Sequence, residues 1–448
     1  DFENPEPKLV DYDTLAVWLK TQKQTVGLAI RFLGESSETC TPVQAGFATE
    51  TERFFCEIAD LEGFKTAIGT WLSDPNAAKA AHDSKLLERT LFSAGISLAG
   101  VDYDTLLMAY LIQPVGRKYA IDELADEFID VKVEREDPNA LISEVTNDIS
   151  LDAWLAVCLA GELHLRLKEQ DQLSVYAEVD LVSSPVLAAM EHVGVQVDVP
   201  VLDKLAESLG SEANSVAQEC FSMIGREINL SSPKQLQTVL FEERGMSGTK
   251  AIKTGFSTNA AALAELYEQT QDPLLEKILE HREATKLKQM VETLRQSATA
   301  DGRIHTTYSM TGTSTGRLSS ENPNLQNIPI KNERGRQMRA AFIATSGYET
   351  LITADYSQIE MRIMAHLSED PGLIEAFNTG EDLHRFVGSR IFGVSPAEVT
   401  SAMRSKVKAM SYGLVYGLSE YGLAKQLRIS NGEAKQLMAD YFDRFGGV

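Results

Sequence analysis

Four cysteines in 448 residues (Cys40, Cys56, Cys158 and Cys220) form no Cys-x-x-Cys pair. A disulfide framework is therefore not the basis of the fold, and buried free thiols in a reducing compartment are expected. No apolar run approaches the roughly 20 residues that span a bilayer, so no membrane partner is expected. The opening Asp-Phe-Glu-Asn-Pro-Glu-Pro has neither the basic nor the apolar region of a secretory leader. Internal repeats, low-complexity tracts and Pro-rich linkers are also missing. Positive charge is scarce: 42 Lys and Arg face 65 Asp and Glu, a net charge of -23. Read as one number, that charge opposes nucleic-acid binding, because phosphates need local cations.

The charge is unevenly placed. Residues 1–175 hold 15 basic and 31 acidic side chains, residues 176–448 hold 27 and 34, and residues 281–340 hold 10 and 5. Acidity is thus concentrated in one module, and a basic segment precedes residue 350, which suits a nucleic-acid site. The length calls for two or more domains. A hydrophobic fraction of 43% with 24% charged residues is that of a globular protein.

From Leu9 to about Gln170 the pattern is mixed α/β. Strands are expected at Val26–Phe32 and Phe54–Ile58, and helices at Thr105–Leu111, Ile121–Phe128 and Leu151–Leu167, with a surface loop over 138–149. From Val179 to Ile224 two helices should break near Val193-Gly194-Val195. Ile228 to Lys234 is a cap-rich helix entry. Residues 245–259 suggest a flexible polar loop, and 261–297 one or two long helices.

Three stretches carry chemistry. Thr350 to His366 begins as a short β-branched run, expected as a buried strand, with Asp355 at its end. Ser357 is then the expected N-cap, and Ile359, Ile363 and Met364 the apolar stripe of the next helix. A carboxylate fixed at such a junction suits a metal ligand in phosphate chemistry, although a simple helix cap has the same pattern. Thr313 to Pro329 crowds hydrogen-bonding side chains around Arg317, as contacts to sugars, phosphates and minor-groove edges require; a generic Ser/Asn loop has this composition too. In Arg404-Ser-Lys-Val-Lys408-Ala-Met-Ser-Tyr412-Gly-Leu-Val-Tyr416-Gly, residues 404, 408, 412 and 416 lie four apart and form one helical stripe, with Lys406 off it. Cations at one end and rings at the other fit a nucleoside triphosphate; a solvated basic face followed by core aromatics is the plainer alternative.

Together and in this order, these stretches resemble the family A DNA polymerases. Asp-Tyr-Ser-Gln-Ile-Glu is similar to that family's motif A, and Arg404…Lys408…Tyr412-Gly…Tyr416-Gly to its motif B. Thr-Gly-Arg-Leu-Ser-Ser…Pro-Asn-Leu-Gln-Asn-Ile-Pro is as typical. The likeness runs with few gaps from about Leu181 to Val448 and more faintly before it. It implies an α/β multidomain fold: a ribonuclease H-like exonuclease-type domain (1–174), then a right-hand polymerase domain (175–448). In the latter, 175–300 would be mainly thumb, 301–369 palm and 370–448 fingers. Carried over, Asp355 would bind two Mg²⁺ ions with help from the Tyr356 carbonyl. Glu360 would pack under the incoming sugar and, with Tyr412, exclude a 2′-hydroxyl. Gln358, His384, Arg404, Lys408 and Tyr416 would complete the dNTP site, with Lys408 the acid for departing pyrophosphate. Arg317 would contact the primer terminus, Asn324, Gln326 and Asn327 the template-primer, and Asn229, Ser232, Thr258, Arg282 and Lys286 the duplex backbone. The implied partners are primer-template DNA and dNTPs, the implied state a monomer, and the implied location the bacterial cytoplasm, at the nucleoid. Tyrosine at 412 resembles members that accept dideoxynucleotides readily.

Two departures matter. The family's second catalytic carboxylate, in a Val-His-Asp-Glu turn beyond motif B, has no counterpart here. These residues alone are therefore expected not to polymerise, with truncation of a competent enzyme the simplest account. The first domain is similar to the family's proofreading 3′–5′ exonuclease, which needs four clustered carboxylates. The corresponding strand, Leu28-Ala29-Ile30-Arg31-Phe32, holds no acid, Leu87 and Cys158 occupy two aspartate positions, and Trp154 falls at a tyrosine. Glu88 and Glu162 are one residue off two of these positions, and one residue along a helix turns a side chain about 100° away. The expectation is a proofreading-dead domain. The family's 5′-nuclease domain finds no match in these residues. A working 3′–5′ exonuclease and a non-catalytic DNA-binding scaffold are the rival readings.

Overall fold

A computed structural model describes residues 2–115, 118–133, 135, 148–330, 332–380, 382–427 and 429–448. Contacts divide the chain into two units, residues 1–350 and residues 351–448. Of the loop expected over 138–149, residues 138–147 lie outside the described residues. Its end differs from expectation: Asp148 and Ile149 are buried, because the Asp148 carboxylate pairs with buried Arg53 at 2.8 Å.

Unit 1 begins with six strands: β1 (Pro7–Leu9), β2 (Val26–Leu33), β3 (Thr41–Ala48), β4 (Arg53–Glu57), β5 (Lys79–Ala81) and β6 (Val101–Asp104). They form one mixed sheet in the order β1-β4-β3-β2-β5-β6. The pairs β2–β3 and β3–β4 are antiparallel, and β1–β4, β2–β5 and β5–β6 parallel. Helices α1 (Tyr12–Thr21), α2 (Leu61–Leu72), α3 (Ser84–Ser93), α4 (Thr105–Ile112), α5 (Ile121–Ile129) and α6 (Ser150–Glu169) accompany it. Helix α6 lies directly on the sheet because the strands carry glycine beneath it. A Cβ on Gly27 would meet the Ala153 carbonyl at 1.8 Å, and one on Gly46 the Ser150 nitrogen at 2.5 Å. On its other contacts α6 buries Trp154, Leu155, Leu159 and Leu163 completely.

Next come a short α7 (Leu173–Val175), a π-helical turn (Tyr176–Asp180) and α8 (Leu181–Val193). They form one helical run, Leu173–Val193, whose 21 residues are long and apolar enough, by length and composition alone, to cross a membrane. That corrects the expectation that no such run exists. Ser184 and Glu191 disguise it in the sequence, yet both are buried. After β7 (Val195–Gln196), α9 (Val199–Ile224) runs antiparallel to α12 (Pro273–Ser297). Leu202, Leu205 and Leu209 share a core with Leu287, Val291 and Leu294, while Val216 and Cys220 meet Leu274 and Ile278. Between them lie α10 (Pro233–Gln237), β8 (Ala251–Ile252), β9 (Gly255–Phe256) and α11 (Ala260–Thr270). The segment expected as a plain loop over 245–259 thus contains a small hairpin, in which Gly255 takes φ +126°, a turn conformation open mainly to glycine. Unit 1 ends with β10 (Arg303–Ile304), β11 (Thr307–Ser309), β12 (Ser319–Glu321) and α13 (Glu333–Ala340).

Unit 2 contains α14 (Ile359–Ser368), α15 (Pro371–Asn378), α16 (Leu383–Phe392), α17 (Ser401–Val415), α18 (Glu420–Leu427) and α19 (Asn431–Arg444). Met361, Leu373, Val387, Val407, Met410, Leu423 and Tyr441 form their common core.

All four cysteines are free thiols; three are buried and Cys40 is half-buried, which corrects the expectation for that residue. Burial pushes the Cys56 and Cys158 thiols up to about 12, so neither is a reactive thiolate at neutral pH.

Glu191 of α8 is one of the most buried charged residues of unit 1, 1% exposed. Its carboxylate accepts from Lys85 Nζ, from Arg89 at 3.1 Å and from the Tyr308 backbone N–H at 2.7 Å. Glu191→Ala would leave both cations of α3 buried without this partner. It is expected to destabilise the protein by roughly 3–5 kcal/mol, measured by denaturant unfolding; a loss under 1 kcal/mol would show that the network contributes little.

Candidate functional site

In unit 2 the helical stripe forms as spaced. Thr400 caps α17 by accepting from the Met403 N–H at 3.2 Å, and Arg404, Lys408 and Tyr412 follow one turn apart. Val407, Met410, Ser411 and Leu414 are its buried face. Tyr416 is the C-cap, just past the helix, and 63% exposed. The facing helix α16 is started by Asp382, whose carboxylate accepts from the Arg385 N–H at 3.0 Å and from Arg404 at 2.9 Å. Burial works to raise the pKa of Asp382, but these hydrogen bonds and the Arg404 charge prevail and hold it below the ordinary value. Asp382 was not among the expected residues; its signal is an acid placed where a helix begins.

His384 follows on α16, 2% exposed, with its ring 6.0 Å from the Tyr412 ring. Its Nδ1 is buried with no hydrogen-bond partner among the described residues. Burial is the main cause that holds its pKa below 6.5, and Arg404 and Lys408 push the same way against Asp382. The stripe, His384 and Asp382 therefore form one cluster, in which an unprotonated imidazole stands among cations. Burial raises the pKa of the Tyr412 phenol, and the charges of Glu360 and Tyr416 add to this.

Around Asp355 the structure departs from expectation. Residues 351–356 form no strand and are exposed, Ile352 to 89%. A β-branched run becomes a strand only when another strand completes its ladder, and unit 2 has none among its described residues. The N-cap of α14 is Gln358, not Ser357; it takes the left-handed conformation at φ 53° and makes no side-chain cap bond. Ile359 and Ile363 are 42% and 50% exposed, because the core face of the helix is Met361 and Ala365, with Met364 packed beside it. Asp355 is exposed and makes no hydrogen bond or ion pair among the described residues. Such an oxygen pair, with the Tyr356 carbonyl next to it, fits the edge of a hard divalent cation. Among the described residues no group of three or more His, Cys, Asp or Glu side chains is gathered to hold a metal.

In unit 1 Arg317 lies in the loop between β11 and β12 and is exposed. Thr313 Oγ1 donates to the Arg317 carbonyl at 2.8 Å. Gln326 is tied to the same loop, donating to the Leu318 carbonyl at 3.1 Å, and Asn324 accepts from the Gln326 N–H at 2.8 Å. Asn324, Gln326 and Asn327 are all exposed. Among the more distant residues, Asn229 accepts from the Ser231 N–H at 2.9 Å, and Ser232 caps α10. Arg282 donates to the carbonyl of buried Thr258, and burial lowers its pKa, while Lys286 is exposed.

Near the end of β2 a cavity of about 160 Å³ is lined by Ile30, Phe32, His82, Asp83, Leu87 and Asp152, among others. Three expected positions meet there, and all are apolar. Cys158 and Trp154 are buried away from it, and neither Glu88 nor Glu162 lines it. Asp152 escaped the sequence reading, whereas Asp83, readable there only as a helix start, is indeed the N-cap of α3. Arg135 pairs with Asp152 at 2.5 Å, and burial, then the Asp104 charge, raises the pKa of Asp83.

A mixed six-stranded sheet bearing α6, followed by a paired long-helix region and a helical unit that carries Arg404 and Lys408 on one helix, defines a ribonuclease H-like module joined to a polymerase-type domain. The chain belongs to DNA polymerase family A, whose sequence profile matches residues 199–448, while that of the DNA polymerase I ribonuclease H-like domain matches residues 28–138. It is 48% identical over 392 residues to DNA polymerase I of Mycobacterium tuberculosis (strain ATCC 25618 / H37Rv), covering 85% of this chain and 43% of that protein. To DNA polymerase I of Geobacillus stearothermophilus it is 36% identical over 440 residues, covering 94% and 49%. The chain thus spans less than half the length of these relatives. The solved POL domain of Pol1 from M. smegmatis, in complex with DNA primer-template and dNTP, superposes with a TM-score of 0.91 at 44% identity, covering 99% of this chain and 77% of that one.

The low pKa of His384 has a consequence for stability. Its neutral form stabilises the fold above pH 6.5, the unfolded value, and that contribution is lost as pH falls through the lower folded value. Unfolding of the whole chain between pH 7.5 and 5 is expected to show a loss that His384→Gln abolishes. An NMR titration of the His384 ring with its midpoint above 6.5 would contradict this.

Proposed function

We propose that this chain forms part of a template-directed DNA polymerase of DNA replication and repair. The cluster on α17 and α16 is the observation that carries the reading: Arg404, Lys408 and Tyr412 on α17, Tyr416 at its end and the buried imidazole of His384 on α16, in a chain of this family. In that reading the triphosphate of an incoming dNTP lies against Arg404, Lys408 and His384. Its base and sugar meet Tyr412, Tyr416, Gln358 and Glu360. Glu360 beside Tyr412 leaves no room for a 2′-hydroxyl. The primer 3′-hydroxyl releases its proton to water as its oxygen bonds to the α-phosphorus, the bond to the leaving pyrophosphate breaks, and Lys408 donates a proton to that leaving group. Asp355 and the Tyr356 carbonyl would hold Mg²⁺, which when bound neutralises charge on the reacting phosphates. One exposed carboxylate is too little for two cations about 4 Å apart, so we propose that these residues bind both substrates and need a second carboxylate for the chemistry.

Arg317, Asn324, Gln326 and Asn327 would read minor-groove geometry, where acceptors sit alike in every base pair. Asn229, Ser232, Thr258, Arg282 and Lys286 would follow the duplex backbone. The sheet module, with Ile30, Phe32 and Leu87 at its cavity, is proposed to be silent as an exonuclease.

Fluorescence anisotropy of a labelled primer-template tests the reading. Binding is expected, and it should tighten with the dNTP complementary to the templating base but not with the other three. Lys408→Ala should weaken that tightening about tenfold or more, the loss of a charge-assisted phosphate contact. Equal tightening by all four dNTPs would mean a scaffold that binds polyanions, and would overturn the proposal. With Mg²⁺ and all four dNTPs, no extension by these 448 residues is expected. Loss of a labelled 3′ nucleotide would overturn the silent exonuclease.

A further inference from the structure

A phenol of the ribonuclease H-like module reaches the Arg317 loop. Tyr110 lies on α4, is 3% exposed, and packs edge-on against the Tyr119 ring with centroids 6.1 Å apart. Its hydroxyl donates to the Thr313 carbonyl at 2.7 Å and accepts from the Gly316 N–H at 3.0 Å. One oxygen thus closes the loop at two points, three residues apart, immediately before Arg317. Thr313 then donates from its own hydroxyl to the Arg317 carbonyl. Gly316 stands at φ +83°, a conformation that turns the chain back on itself. Below the loop, Met310 shares a core with Leu107, Met108 and Tyr110. The strand leading into it is held by the bond from the Tyr308 N–H to Glu191.

We propose that Tyr110 is a positioning residue for Arg317. The sheet module would then contribute to primer-template binding without touching DNA, by holding the loop that presents this guanidinium. The inference rests on the polymerase reading above, in which Arg317 meets the primer terminus. It explains why a tyrosine with no role in the sheet module's cavity has its hydroxyl committed wholly to another module's loop. A buried phenol that lost both partners would be costly, so the two modules constrain each other at this oxygen.

Tyr110→Phe removes that oxygen and keeps the ring. The test measures the affinity of the whole chain for a primer-template and for the template strand alone, with Tyr110→Phe, Arg317→Ala and the double variant. Arg317→Ala is expected to weaken primer-template binding about tenfold or more. Tyr110→Phe should weaken it about fivefold, and the double variant no further than Arg317→Ala alone, because one residue acts through the other. Binding of the single strand should not change. Additive losses in the double variant, or equal losses on the single strand, would mean that Tyr110 serves folding only and would overturn the proposal. Full primer-template affinity in Tyr110→Phe, with Arg317→Ala impaired, would overturn it while leaving the polymerase reading intact. No preference of the unaltered chain for primer-template over single strand would instead defeat the polymerase reading.

Discussion

Glu191 lies between two parts of the chain that are far apart in sequence. It accepts from Lys85 and Arg89 of α3 and from the β11 backbone, while its own carbonyl meets the His305 ring at 2.9 Å. Arg89 extends the network to Glu38 at 2.5 Å and to Thr307 at 3.0 Å. Two cations face two carboxylates, so the cluster is neutral as a whole. Burying any one of these charges alone would cost several kcal/mol. The sheet module and the start of the polymerase domain are therefore tied by ion pairs that cross their contact, and loss of any one member would leave an opposite charge buried without its partner. This constraint gives the sheet module a structural role whatever happens in its cavity, and it sets the position of β11, from which the Arg317 loop departs.

A net charge of -23 is compatible with the proposed anion site because charge acts locally. Screening limits the reach of an exposed charge to about 8–10 Å at physiological salt, so acids on the sheet module do not cancel cations on α17. What matters there is the immediate neighbourhood: Arg404 and Lys408 on one face, and His384 kept neutral by burial and by those same cations. Asp382 occupies Arg404 in the absence of another anion. A phosphate that displaced it would exchange one charge-assisted contact for another, which limits the cost of binding.

Much of this was legible in the residues. Arg404, Lys408 and Tyr412 share a face because spacing by four on a helix guarantees it, and the break between α8 and α9 follows from Gly194 at φ +65°. Helix α6 and strand β2 show themselves by apolar runs that only a buried element tolerates. The failures share a cause: they depend on partners distant in sequence. Leu351 to Ala354 has strand composition but no neighbouring strand among the described residues of its unit. The apolar run of α7 and α8 is hidden because Glu191, which interrupts it, is neutralised by α3. Tyr110 gave no sign of its role, since one hydroxyl bonding a loop some 200 residues later has no local pattern. Gly27 and Gly46 likewise take their meaning from α6, which must first be laid on the sheet.

Gln358 concentrates the remaining strain of the site. A non-glycine residue in the left-handed region costs of order 1–3 kcal/mol, and here its side-chain oxygen is also buried without a partner among the described residues. The strain falls between Asp355 and Glu360, where the chain passes from an extended segment into α14.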